Sequence, residues 1–316
     1  MTSYVDIENK NIKLENPAKE FPYELDDFQK QAIIAIENGQ NVLVAAHTGA
    51  GKSTVADYAI ALANKNGKRA IYISPIKALS NQQFNSFSKN YYTGLFTGDH
   101  KINPDGTCIV ATTEIIRNML FTDNSFLDNV STVIIDEVHF INDRDRGHVW
   151  EELIIMLKKE IQLVMLSATI DKAKEFSSWI GKIKDKPTRL IFTDHRPIPL
   201  KHYIYYENKK YLILDEKKNF NHDNFTKIDK EYSKIRYNYK TQLNPFLKYL
   251  KEEDLFPALF FVFSKKNCKN YAKIITENLI DHENRSRIEN IFEKYMNGIF
   301  KEFKYLPIVT DIKPLL

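Results

Sequence analysis

Six short runs of apolar, often β-branched residues alternate with helical stretches through the first 193 residues. That alternation constrains the fold more than any other feature of the chain. The runs are Asn41–Ala46, Arg69–Ser74, Cys108–Thr112, Thr132–Asp136, Gln162–Leu166 and Arg189–Phe192. Each is apolar on both faces, as strands of a covered parallel sheet are. Between them the pattern predicts helices over Ser53–Asn64, Asn81–Lys89, Glu114–Leu120, Val149–Lys158 and Lys172–Ile180. Strand and helix in this order build an α/β doubly wound domain, with a parallel sheet flanked by helices.

In such a sheet ligands bind beyond the carboxyl ends of the strands, so those loops carry the functional reading. Seven of the ten glycines fall at or before Gly106, where backbone can approach a ligand closely. The first strand runs into His47-Thr48-Gly49-Ala50-Gly51-Lys52-Ser53-Thr54 and then a helix, the context a phosphate-binding P-loop requires. Its glycines let successive N–H groups curl around phosphate oxygens, and the helix N-terminus adds partial positive charge. Lys52 would pair with the β- and γ-phosphates, and Ser53 would offer its hydroxyl to Mg²⁺.

Asp136-Glu137 closes an apolar strand 84 residues after Lys52. Two carboxylates there are costly unless they face a ligand or metal. Asp136 would hold Mg²⁺ and Glu137 would orient or deprotonate the attacking water. His139 is ambiguous by itself. Ser167-Ala168-Thr169 ends the next strand; its hydroxyls either cap the following helix or relay to the acidic pair. Upstream, Phe21 and Gln29 could stack on adenine and read its edge, or merely form a helix entry. Further strand ends carry Pro75 and Lys77, Gly98 and Asp99, and Thr112 and Thr113. Their hydroxyls, backbone N–H groups and lysine suit a phosphodiester backbone without reading bases; helix capping accounts for each loop singly.

After Thr193 the texture changes. Residues 195–257 read as a linker rich in Lys, Asn, Asp and Tyr, with a small hairpin expected around Tyr211–Asp215. Aromatic and basic residues intermix at Tyr232, Lys234, Arg236, Tyr237, Tyr239 and Lys240, as half-buried tyrosines on a solvated face or as a stacking surface. A buried strand is expected at Ala258–Ser264, with a helix from Lys266. The residues from 258 to 316 are too few for a second complete core.

The charge balance, 45 Lys+Arg against 41 Asp+Glu, permits a nucleic-acid partner without demanding one. The polar tail to about Glu20 has no signal-peptide core. The longest uncharged apolar run, Leu255–Phe263, is far shorter than the roughly 20 residues of a membrane span. Cys108 and Cys268 are expected to be buried reduced thiols, which with the rest predicts an intracellular protein. No oligomer is implied.

AAHTGAGKSTVADYAIA, IYISPIKALSNQ, LFTGDHKINPDGTCIVATTEIIRNML, VIIDEVHFINDRDRGHVWEELIIML, LSATIDKAKEFSSWIGKI and RPIPLKHYIY, taken together, resemble the DExH-box superfamily-two helicases. More narrowly, they resemble the superkiller-type, exosome-associated RNA helicases. FVFSKKNCKNYA resembles the opening of that family's second RecA-like domain. The resemblance implies a RecA-like ATP-binding domain over residues 21–194 and a second one begun at 258. It also implies an ATP- and Mg²⁺-dependent motor moving three-prime to five-prime on single-stranded RNA or a duplex with an overhang, with an RNA-decay complex as a partner it allows; the alternatives are an ATP- and RNA-binding module without turnover or a related DNA helicase. It assigns adenine to Gln29, phosphates to Lys52, and Mg²⁺ to Ser53 and Asp136. It gives water activation to Glu137 and coupling to His139, Ser167 and Thr169. It puts the RNA backbone on the loops of Pro75, Gly98, Asp99 and Thr113. Gly49 and Ser53 depart mildly from the family's usual P-loop. The arginines that complete the family's ATP site lie beyond the matching region, so only basal turnover is expected of this chain alone.

Overall fold

The computed structural model describes residues 16–122, 125–168, 170–194, 196, 198–232, 239–298 and 300–313. The chain divides into two compact units at Ile198/Pro199.

The first unit runs α1 (Asp27–Glu37), β1 (Asn41–Ala46), α2 (Lys52–Lys65), β2 (Arg69–Ser74), α3 (Lys77–Phe87), β3 (Thr93–Phe96) and β4 (Lys101–Ile102). It continues β5 (Cys108–Thr112), α4 (Thr113–Thr122), β6 (Val130–Ile135), α5 (Gly147–Met156), β7 (Gln162–Ser167), α6 (Ala173–Lys184) and β8 (Thr188–Thr193). The sheet has the order β4-β3-β5-β2-β6-β7-β1-β8, parallel except where β4 runs antiparallel to β3. This is a RecA-like α/β domain. Its six long strands fall where the alternation predicts them, to within two residues at each end.

Strand period explains why both faces are apolar. Val42, Val44, Ala70, Tyr72, Val110 and Ile134 face one core with α1 and α2. Leu43, Ile71, Ile73, Ile109, Val133 and Ile135 face another with α4 and α5. Successive side chains point to opposite sides of a strand, so a sheet covered on both sides needs apolar residues at every position. β3 and β4 escaped prediction because they are only four and two residues long, with β4 exposed. Gly94 in β3 sits where a Cβ would come within 2.3 Å of the Asn103 carbonyl, so the β3–β4 turn folds back tightly only over glycine.

The second unit holds a hairpin, β9 (His202–Tyr206) and β10 (Lys209–Leu214), then α7 (His222–Tyr232), α8 (Tyr239–Glu252), α9 (Lys265–Lys273), α10 (His282–Asn297) and α11 (Pro307–Ile312). The hairpin turns at Glu207 and Asn208, both at positive φ, with Tyr206 opposite Lys209. The turn therefore lies ahead of the expected Tyr211–Asp215, which falls at the far end of β10. Tyr205 packs on Phe246 and Tyr249 of α8 at ring separations of 4.5 and 4.8 Å. Lys234, Arg236 and Tyr237 of the proposed stacking surface lie outside the described residues.

Two expectations for this unit are corrected. Residues 258–264 form no strand, and Leu259 and Phe261 are each 79% exposed. An apolar, aromatic-rich run becomes a strand only against a neighbouring strand, and among the described residues none pairs with it. Cys108 is buried as expected, but Cys268, on α9, is exposed.

Candidate functional site

β6, β7 and β1 are consecutive in the sheet, so the loops leaving their carboxyl ends meet. At the end of β1, Gly49 (φ +85°) and Gly51 (φ +90°) take left-handed backbone, and Gly51 caps α2. Thr48 and Gly49 stand exposed at the tip, and Ser53 is exposed in the first turn of α2. Ala50 is buried and its N–H donates to the His47 carbonyl at 3.2 Å. Lys52 Nζ donates to the carbonyls of Ala46 at 2.8 Å and His47 at 3.2 Å. Burial holds the Lys52 ammonium below the usual lysine range, with Glu137 and then Asp136 pulling the other way. Thr54 is buried, its Oγ1 sharing a hydrogen bond with the Tyr23 hydroxyl at 3.0 Å.

At the end of β6, Asp136 accepts from the Tyr72 hydroxyl at Oδ2 and from the Glu137 N–H at Oδ1, 2.9 Å. Glu137 adopts a left-handed conformation, φ 51°, which a side-chain-bearing residue rarely takes without a compensating role. Its Oε2 is buried and receives no hydrogen bond, although His139 Nδ1 lies 3.3 Å away. Burial, and then the charge on Asp136, push the Glu137 carboxyl above the usual range; His139 and Lys52 oppose the shift. His139 Nδ1 also lies 3.4 Å from Ser167 Oγ at the end of β7. The structure thus brings Lys52, Asp136, Glu137, His139 and Ser167 together. Thr169 lies outside the described residues.

Gln29 stands against the P-loop. It is buried in α1, where its Oε1 accepts from the Asp26 N–H at 2.9 Å in a capping box. Its Nε2 donates to the Gly51 carbonyl at 3.0 Å. Gln29 fastens α1 to the P-loop, while Phe21 packs between Tyr23 and Tyr58 at 5.6 and 6.5 Å.

The other strand-end loops gather beside this centre. Lys77 pairs with Asp99 at 2.7 Å, and a Cβ on Gly98 would stand 3.3 Å from the same ammonium. Thr112 and Thr113 are buried, with Thr113 Oγ1 donating to the Ser74 carbonyl at 3.5 Å. The Thr113 hydroxyl is therefore turned into the domain. Two residues that sequence reasoning missed organise this region. Tyr72 reads as ordinary strand filler. Arg146, lost in the charged string DRDRG, donates to the Pro75 carbonyl at 3.0 Å and from Nε to Glu114 at 3.1 Å. It also lies over the Trp150 ring at 5.4 Å.

These residues fit a nucleotide's phosphates. Lys52 is held by backbone carbonyls in a glycine cradle, and a buried carboxylate oxygen beside it has no hydrogen bond. Among the described residues no group of three or more His, Cys, Asp or Glu is arranged to hold a metal ion alone. A cation here would take part of its coordination from the nucleotide.

A P-loop strand beside the strand that ends in Ser167, with the acidic pair one strand further on, on a RecA-like sheet, defines a P-loop nucleoside triphosphatase domain. Residues 26–176 match the DEAD/DEAH box helicase family. DExH-box ATP-dependent RNA helicase DExH9 of Arabidopsis thaliana is 41% identical over 95% of this chain and 33% of its own length. Exosome RNA helicase MTR4 of Homo sapiens is 40% identical over 95% of this chain and 30% of its own. Antiviral helicase SKI2 of Saccharomyces cerevisiae is 36% identical over 98% and 29%. The chain spans about a third of the length of these curated relatives. Among the described residues no helix is long and apolar enough to cross a membrane.

Proposed function

We propose that residues 21–194 are the ATP-binding domain of an intracellular, ATP-driven RNA helicase. It acts on single-stranded RNA or on a duplex with an overhang, moves three-prime to five-prime, and serves an RNA-decay complex. One observation carries the reading: Lys52, the Asp136–Glu137 pair and Ser167 stand at the ends of three adjacent strands. The names of two of these relatives, DExH9 and MTR4, are those of RNA helicases and supply the substrate class.

In this reading the N–H groups around Gly49 and Gly51 and the Lys52 ammonium bind the β- and γ-phosphates. Ser53 and Asp136 hold Mg²⁺, which when bound neutralises charge building on the phosphate oxygens. Glu137 orients the attacking water and takes its proton; its raised affinity for protons suits that task. His139, between Glu137 and Ser167, connects the acidic loop to the β7 end. The loops of Pro75, Gly98 and Thr113 hold the RNA backbone through main-chain groups, sequence-independently. Lys77 and Asp99 brace those loops against one another.

The test is nucleotide binding. Lys52→Ala should weaken ATP affinity at least tenfold by calorimetry; an unchanged affinity would refute the P-loop assignment. RNA affinity should fall steeply with salt as counterions are released, and a salt-insensitive affinity would count against backbone contacts.

A further inference from the structure

We propose that Tyr72 is a positioning residue for the Asp136 carboxylate, setting the orientation in which it meets the nucleotide's divalent cation. The inference rests on the nucleotide-binding reading above. Tyr72 lies in the interior of β2, 1% exposed, with its ring edge-on to Phe87 at 5.2 Å. In the neighbouring β6, Ile134 is opposite Tyr72 and Ile135 opposite Ile73. The ladder continues one step further, with Asp136 N–H donating to the Ile73 carbonyl at 2.9 Å. The backbone beneath the carboxylate is therefore fixed by the sheet itself.

The side chain is fixed as well. Tyr72 and Ile134 belong to the same core face, and Asp136 follows two residues after Ile134, so the tyrosine ring runs along that face toward the carboxylate. Its hydroxyl donates to Oδ2, and the Glu137 N–H donates to Oδ1 at 2.9 Å. Each oxygen keeps a further lone pair, yet the carboxylate cannot rotate without giving up a donor. A phenylalanine would fill the same core space. The hydroxyl adds nothing to that packing and would cost free energy there without a partner; the partner it has is the cation-binding carboxylate.

The experiment is Tyr72→Phe, which keeps the ring and removes one oxygen. ATP affinity is measured by calorimetry on the whole chain, in Mg²⁺ and again in EDTA, with thermal unfolding to check the fold. Affinity in Mg²⁺ should fall about tenfold, as for loss of a group that orients a metal ligand. The Mg²⁺ concentration at half-saturation should rise in parallel, and affinity in EDTA should stay unchanged. On an Asp136→Asn background the same substitution should bring no further loss. An unaltered Mg²⁺ dependence, or an equal loss in EDTA, would overturn the proposal. Failure of the unaltered chain to bind ATP in either buffer would overturn the nucleotide reading itself, and this inference with it.

Discussion

Gln29 Nε2 donates to the Gly51 carbonyl at 3.0 Å, and a Cβ built on Gly51 would stand 2.6 Å from that same nitrogen. The bond that fastens α1 to the phosphate loop therefore depends on glycine twice, for its left-handed φ and for its missing side chain. Gly51→Ala should lower stability by roughly 1–2 kcal/mol for the backbone strain alone, read by urea unfolding. It should also weaken ATP binding at least tenfold. Adding Gln29→Ala removes the clash but not the strain, so recovery should be partial; full recovery would show that φ is not limiting.

In a longer chain that carries the completed ATP site, Glu137→Gln should keep ATP binding and lower hydrolysis by about 10²–10⁴, the usual worth of a general base. Single-turnover hydrolysis in the presence of RNA measures it. A retained rate would remove Glu137 from the water-activating role and leave its left-handed backbone unexplained.

Much of this was legible in sequence, and the exceptions share a cause. The P-loop and the acidic pair announce themselves because their chemistry forces residue types and spacing onto a single stretch of chain. Tyr72 and Arg146 do not, since each acts on a residue distant in sequence and only the sheet brings the two together. Residues 258–264 went wrong for the converse reason. Apolar composition specifies what a segment can pair with, not whether a partner is there. Gln29's bond to the Gly51 carbonyl is marked by no pattern in the sequence.

Arg146 joins the loop after β2 to the first turn of α4 through Pro75 and Glu114. Arg146→Gln should loosen both loops. RNA affinity in a filter or anisotropy assay should fall about tenfold, equivalent to about 1.4 kcal/mol, while ATP affinity is unchanged. Equal losses for both ligands would indicate general unfolding instead.

Lys184 gives the domain a pH dependence unrelated to its site. The residue is 2% exposed, and its ammonium donates to the Leu157 carbonyl. Burial, with Lys159 nearby, pushes it down to about 8. The unfolded chain binds this proton up to the ordinary lysine range while the folded chain has released it, so stability rises with pH from about 8 toward 10.5. The gain is at most about 1.4 kcal/mol per pH unit and is lost as pH falls through 8. Urea unfolding between pH 7 and 10 should show the rise, and Lys184→Met should flatten it.

The adjacency of β6, β7 and β1 also bears on how the protein is made. Lys52 is synthesised early, but Glu137 and Ser167 follow much later, and β7 must pair with both β1 and β6 before all three loops stand together. The complete set of phosphate-loop, acidic and Ser167 groups thus exists only in a chain whose central sheet has closed. Ligand present during synthesis would then stabilise the finished domain by mass action and give nothing to partly folded intermediates, making nucleotide binding a sensor of completed folding.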